Sequence, residues 1–173
     1  MIIHVCGTSG SGKTYIGEKF YNKMNVIDTD DWTEEYSNLD IKKTKKSFIN
    51  FINNKINNLD KNKINLLVGY LDYYINNELV VFPISTDYKF FIKISTKKLF
   101  IQYNVRLINW ICKNKKNAIS KINNYKLLPF KDLEYIEKDY KKDLDEYVNK
   151  LNYKLLTQNQ IIKFLIKNNI KSY

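Results

Sequence analysis

Residues 1–14 read MIIHVCGTSGSGKT, a short apolar run, then a glycine-rich stretch, then Lys-Thr. The chain contains only 5 glycines in 173 residues, so their gathering at Gly7, Gly10 and Gly12 needs a local cause. The segment Gly7-Thr8-Ser9-Gly10-Ser11-Gly12-Lys13-Thr14 fits the pattern Gly-x-x-x-x-Gly-Lys-Ser/Thr without a gap. A chain that leaves a strand and curls around a phosphate needs residues free to take unusual dihedrals and to let backbone N–H groups come close. Those donors form an anion nest, reinforced by the positive end of a helix predicted to begin near Lys13. Lys13 adds a point charge at the outer phosphates, and the Thr14 hydroxyl suits Mg²⁺.

Working outward, apolar runs and amphipathic stretches alternate, which predicts an α/β fold with a mostly parallel sheet. Five strands are expected, at 1–6, 25–28, 64–71, 88–95 and 153–156. Helices are expected at 13–23, over a long amphipathic stretch through Ile41, Phe48, Ile52, Ile56 and Leu59, at 97–117, at 131–151 and at 160–168. No internal repeat and no Pro/Gly/Ser linker divides the chain, which is long enough to bury a core as one domain over 1–173.

Composition narrows the setting. Hydrophobic residues make up 44% and aromatic ones 14%, which argues against disorder. The apolar runs, such as LVVFPI at 79–84, are too short to span a bilayer, so no membrane association is expected. Cys6 and Cys112 have no metal-ligand spacing, and no secretory leader is legible. A reducing, cytoplasmic location is the corresponding expectation. A net charge of +11 suits a polyanionic partner, and equally follows from the Lys- and Asn-heavy usage of an AT-rich genome. Of 29 basic residues only Arg106 is arginine, a planar multi-donor cation where lysine serves everywhere else. His4 is read as a core or edge histidine and Cys6 as a small core residue.

The second predicted strand ends in carboxylates, Asn25-Val26-Ile27-Asp28-Thr29-Asp30-Asp31-Trp32. In an extended segment Asp28 and Asp30 project to one side and Asp31 to the other. Parallel α/β sheets bind ligands beyond the carboxyl ends of their strands, so these acids are expected beside the glycine loop. A carboxylate placed there accepts a proton from an attacking hydroxyl or holds Mg²⁺ through water. The alternative is a solvated turn with one acid capping a helix.

A small chain with this loop near its N-terminus, a helix, then Asp-x-Asp resembles the P-loop small-molecule kinases, with features of shikimate, nucleoside and polynucleotide kinases. Guanine-reading Asn-Lys-x-Asp is absent; Asn22-Lys23-Met24-Asn25 and Asn149-Lys150-Leu151-Asn152 lack the aspartate. The resemblance implies a P-loop fold with a five-stranded sheet and a short helical lid over about 106–130. It implies ATP and Mg²⁺ as cofactors, held by residues 7–14, with Thr14 and Asp28 on the metal side. Asp30 is then the base or acceptor-hydroxyl ligand, Lys13 and Arg106 stabilise the transferring phosphoryl group with Lys113, Lys115 and Lys116 beyond, and Gln158 and Asn159 lie where adenine is cradled. Thr157 is read as a cap.

The chain departs from these relatives in three places. The third strand reads Leu67-Val68-Gly69-Tyr70, without an acid before its glycine, and Asp72 is not expected to replace it. The arginines and glycine run that hold shikimate are absent, as is the arginine pair that clamps an acceptor phosphate. Thr33-Glu34-Glu35-Tyr36 follows Trp32 where polynucleotide kinases carry an arginine. A small hydroxyl-bearing acceptor, a nucleoside or nucleotide, is therefore expected. A polynucleotide 5′-hydroxyl acceptor and a non-catalytic nucleotide-binding module remain open, as does the oligomeric state.

Overall fold

The computed structural model describes residues 1–113 and 132–169. In chain order the elements are β1 (Ile2–Cys6), α1 (Lys13–Phe20), β2 (Asn25–Asp28), α2 (Thr29–Asn38), α3 (Lys45–Asn57) and β3 (Asn65–Val68). Then come β4 (Asp72–Ile75), β5 (Glu78–Val81), β6 (Tyr88–Lys93), α4 (Thr96–Lys113), α5 (Leu133–Asp143), a π-helical segment (Leu144–Lys150), β7 (Lys154–Thr157) and α6 (Gln158–Asn169). Five strands form one sheet in the order β2-β3-β1-β6-β7, every neighbouring pair parallel.

Period-two alternation along the strands divides the core. Ile3, Val5, Leu66, Val68, Phe90 and Ile92 face α1 and α6, against Ile16, Phe20, Ile161 and Leu165. Cys6, Leu67 and Phe91 face the opposite layer, where Trp32, Tyr36, Phe48, Ile136, Tyr140 and Tyr147 pack. A parallel sheet covered on both faces needs apolar residues at every position, which is why these strands read as continuous runs. The register aligns Val5 with Val68 and with Phe90, and Asp28 with Val68, so the strands end together at one edge.

Three expectations change. The run at 64–71 is not one strand: β3 stops at Val68, Gly69 turns with φ 135°, and Asp72–Val81 forms an antiparallel hairpin outside the main sheet. Its tip, Asn76 (φ 51°) and Asn77 (φ 66°), takes the left-handed pair that two-residue hairpin turns require. The long helix after β2 is two helices, because Thr44 and Ser47 close a reciprocal capping box that starts α3 afresh. Asp28 is the last residue of β2 and also the N-cap of α2, its carboxylate accepting from the Asp30 amide at 3.0 Å. Asp30 and Asp31 therefore lie in a first helical turn and not in an extended segment, and the same-side argument for Asp28 and Asp30 is replaced by helix geometry.

Two boundaries move as well. The helix expected at 131–151 becomes π-helical after Asp143, and α6 begins at Gln158, capped by Thr157 and Gln160 through the reciprocal bonds Thr157 N–H to Gln160 Oε1 (2.9 Å) and Gln160 N–H to Thr157 Oγ1 (3.4 Å). The expected lid falls mostly on 114–130, including Lys115 and Lys116, outside the described residues.

Gly69 has no room for a side chain. An added Cβ would sit 2.9 Å from Asp30 Oδ1, 3.2 Å from Asp28 Oδ1 and closer still to Thr29 Oγ1, at a φ that L-residues avoid. Gly69→Ala is expected to lower the free energy of unfolding by about 1–3 kcal/mol, read by urea denaturation.

Candidate active site

The glycine loop leaves β1 at the centre of the sheet and runs into α1. Gly10 (φ 87°) and Gly12 (φ 96°) take left-handed backbone, and Gly12 is the N-cap of α1 with no side-chain cap hydrogen bond. With no side chain on the cap position, no capping side chain takes up the first amides of α1, which suits an anion nest. Ser11 turns its hydroxyl inward, buried and without a hydrogen-bond partner among the described residues. Ser11 N–H donates to Thr8 O at 2.9 Å, closing the loop on itself. Gln158 stands directly over Gly12, its Nε2 donating to the Gly12 carbonyl at 3.2 Å, so a Cβ at Gly12 would collide with this amide. The residue assigned by resemblance to the adenine cradle thus also braces the loop.

Lys13 donates to Gly7 O at 2.5 Å and lies 4.5 Å above the centre of the Tyr70 ring. Burial lowers its pKa, while the charges of Asp30 and Asp143 act in the opposite direction and Arg106 adds to the lowering. Arg106 is on α4, and Lys13, Thr14, Gly10 and Gly12 face it across a cleft of about 530 Å³ whose remaining wall is Ile101, Gln102 and Val105. The sequence-expected Lys13, Thr14 and Arg106 are therefore brought together. On the other side of α1, Thr14, Glu18, Asp28 and Asp31 line a second cavity of about 490 Å³. Asp28 has its pKa raised by partial burial and by Asp30 and Asp31, against the lowering bond from the Asp30 amide.

Asp30 is exposed at the start of α2, and its Oδ1 accepts from the Tyr70 amide at 3.3 Å. That bond joins the β2 edge to the turn after β3. Trp32 and Tyr36 are buried in the core; Tyr36 meets Tyr73 edge-on at 5.0 Å, so neither offers a stacking face beside Asp30.

Two carboxylates that no motif identified also reach the site. Asp143, at the end of α5, accepts at Oδ2 from Tyr70 Oη (2.5 Å) and Thr8 Oγ1 (2.7 Å). Asp72, the first residue of the hairpin, accepts from Tyr147 Oη at 2.9 Å. Asp72, not expected to replace the missing acid, lies just beyond the third strand after the turn at Gly69, with its carboxylate engaged by Tyr147. Burial raises both acids, Asp72 to about 6; the charges of Asp143 and Asp30 add to the rise at Asp72 and that of Asp139 to the rise at Asp143, while the hydroxyl bonds and Lys13 oppose it. One signal was available: Tyr70 and Asp72 follow the glycine at the sheet's carboxyl edge. For Asp143, more than 130 residues downstream of Thr8, there was none.

His4 is a satisfied core histidine. Its Nε2 lies 3.0 Å from Gly69 O, which only accepts, so Nε2 carries the proton and Tyr153 Oη donates to Nδ1 at 2.6 Å. Burial lowers its pKa to about 4, with Lys89 and Lys13 assisting and the Gly69 bond opposing. Cys6 is likewise buried, and its thiol pKa is raised by that burial. Among the described residues no three His, Cys, Asp or Glu side chains are grouped to hold a metal, and no helix is long and apolar enough to cross a membrane.

No family model matches the chain, and no curated protein matches it. Among solved structures it is similar to a deoxyadenosine kinase from M. mycoides with the products dCMP and a flexible dCDP bound, at 17% identity, 99% coverage of both chains and a TM-score of 0.44. At that distance the chemistry rests on the residues of this chain.

Two buried groups titrate in opposition. Unfolded histidine binds its proton near 6.5, so the stability from neutral His4 is complete above that pH and is lost as pH falls toward about 4. Asp72 binds a proton up to about 6 when folded but only to 3.8 when unfolded, so it costs stability as pH rises through that window. Replacing Asp72 by Asn removes the second effect alone. The stability difference, variant minus wild type, is expected to grow by about 2.4 kcal/mol from pH 4 to pH 8, measured by urea unfolding at each pH.

Proposed function

We propose that this chain is an ATP- and Mg²⁺-dependent phosphotransferase acting on the hydroxyl of a small acceptor, a nucleoside or nucleotide. The observation that carries the reading is the cleft in which Lys13, Thr14 and the loop glycines face Arg106. A triphosphate laid there meets backbone amides, an ammonium and a guanidinium from three directions, while Ile101 and Val105 offer apolar surface to a base.

The donor set fits that occupant. Left-handed glycines give the loop its curl, and the helix start without a side-chain cap leaves N–H donors that an anion can use. Mg²⁺ takes few protein ligands alongside substrate phosphates and water, so the Thr14 hydroxyl with Asp28 through water is a sufficient protein share. When bound, the ion neutralises charge between the outer phosphates. The residues of the chain supply the rest. Asp30, exposed at the β2 edge, accepts the proton as the acceptor oxygen forms its bond to the γ-phosphorus and the bridge to the β-phosphate breaks. Lys13 and Arg106 hold the charge that moves onto the β-phosphate. Gln158 keeps Gly12 in place and borders the base.

A panel of nucleosides, nucleotides, sugars and 5′-hydroxyl oligonucleotides with labelled ATP tests this. Transfer to a nucleoside or nucleotide, abolished by Lys13→Ala and by Asp30→Asn, is the expected result, and unchanged turnover in both variants would sink the assignment. Asp30→Asn is expected to leave ATP affinity within about threefold of wild type, because the loop amides carry that binding. The +11 charge supports a polynucleotide acceptor as second reading; transfer to oligonucleotides with KM rising steeply in salt would favour it. Tight ATP binding without transfer to any member would make the chain a binding module.

Arg106→Lys separates charge from shape. It keeps one positive charge but loses the planar fork, and kcat is expected to fall about tenfold or more in steady-state assays with ATP affinity less affected.

A further inference from the structure

The carboxylate of Asp143 is unexpected where it lies. It is largely withdrawn from water and takes its hydrogen bonds from two hydroxyls, Thr8 of the glycine loop and Tyr70 beneath Lys13. Apolar side chains fill such a space at lower cost than an ionisable group, so stability alone does not account for an acid here. Thr8 is itself buried at 3% exposure, and its hydroxyl is committed to this bond at the point where β1 turns into the loop. The helix changes to π-helical geometry immediately after Asp143, and the wider turn is closed by Leu151 N–H to Glu146 O at 3.2 Å. Such segments recur at functional sites. Within it Tyr147 reaches Asp72, and the Tyr70 and Tyr147 rings lie 5.5 Å apart.

We propose that Asp143 is a positioning residue for the phosphate-binding loop: by holding the Thr8 and Tyr70 hydroxyls at one oxygen, it sets both the loop's entry and the ring that supports the Lys13 ammonium. Tyr70 has two further ties. The Tyr70 amide donates to Asp30, so the clamp also links the loop to the acid at the β2 edge. Tyr70 in turn follows Gly69, whose carbonyl is held by His4 from the middle of β1. Loop, lysine and acid are therefore set relative to one another by one side chain from a distant helix.

This inference rests on the reading of the loop as a nucleotide site, and ATP titrated calorimetrically into the intact chain tests the two separately. Asp143→Leu is expected to weaken ATP binding about tenfold, the loss of hydrogen bonds to a charged group. Asp143→Asn keeps an acceptor oxygen and is expected to recover most of that affinity. Thr8→Val added to Asp143→Leu is expected to cost little more, because both remove one interaction. A merely structural acid would lower the melting temperature while leaving ATP affinity of the folded protein unchanged. Should Asp143→Leu fail to fold, Tyr70→Phe and Thr8→Val serve instead, each weakening ATP binding and together less than additively. Wild-type affinity in Asp143→Leu, or in Tyr70→Phe if that is the variant that folds, or fully additive losses, would overturn the clamp and leave the nucleotide site standing. A wild-type chain that binds no ATP would overturn both.

Discussion

Asp28, Asp30, Asp72 and Asp143 all act electrostatically on, or are acted on by, the ammonium of Lys13. Without it, four acids near the carboxyl edge of the sheet would disfavour an anion there. Lys13 opposes that repulsion, and Arg106 from the facing helix brings a second positive charge to the same cleft. Because burial lowers the lysine's pKa while the acids raise it, its charge state depends on their geometry. The site is a balance of charges, and it holds only while each group stays at its distance.

That balance is kept by parts with little else in common. β1 is paired on both sides in register, so the loop leaves from the middle of a rigid sheet. The turn at Gly69 lets the backbone after β3 pass close to Asp28, Thr29 and Asp30, which a side chain there would prevent. From that turn the Tyr70 ring reaches under Lys13 and its hydroxyl reaches Asp143, while its amide holds Asp30. Buried His4, with both ring nitrogens used, fixes the carbonyl of the same glycine. Polar groups in a core are expensive unless their donors and acceptors are met, and here the partners of His4 and Asp143 come from distant parts of the chain.

Much of this was legible in the residues before any coordinates. The pattern from Gly7 to Thr14 calls for a strand, a loop with left-handed glycines and a helix, and β1, Gly10, Gly12 and α1 supply them. Apolar runs without alternation announce a sheet covered on both faces. The hairpin at 72–81 was hidden, since INLLVGYL at 64–71 reads as one apolar run and only a glycine with positive φ divides it. The break between α2 and α3 was hidden for a related reason: a capping box of two small hydroxyl residues interrupts a hydrophobic period without disturbing it. Asp28 as a helix cap was legible as an alternative, and helix geometry selected it.

The sequence by itself determined the α/β class, the loop, and the membership of Lys13, Thr14 and the β2-edge acids in one region, because each depends on local spacing and on the rule that parallel strands open their sites at one edge. The tertiary structure alone decided that Asp72 and Asp143 join them, that Arg106 faces Lys13, and that Gln158 braces Gly12. Those relations join residues far apart in the chain through packing of layers. No local pattern records which face of a distant helix will meet a loop.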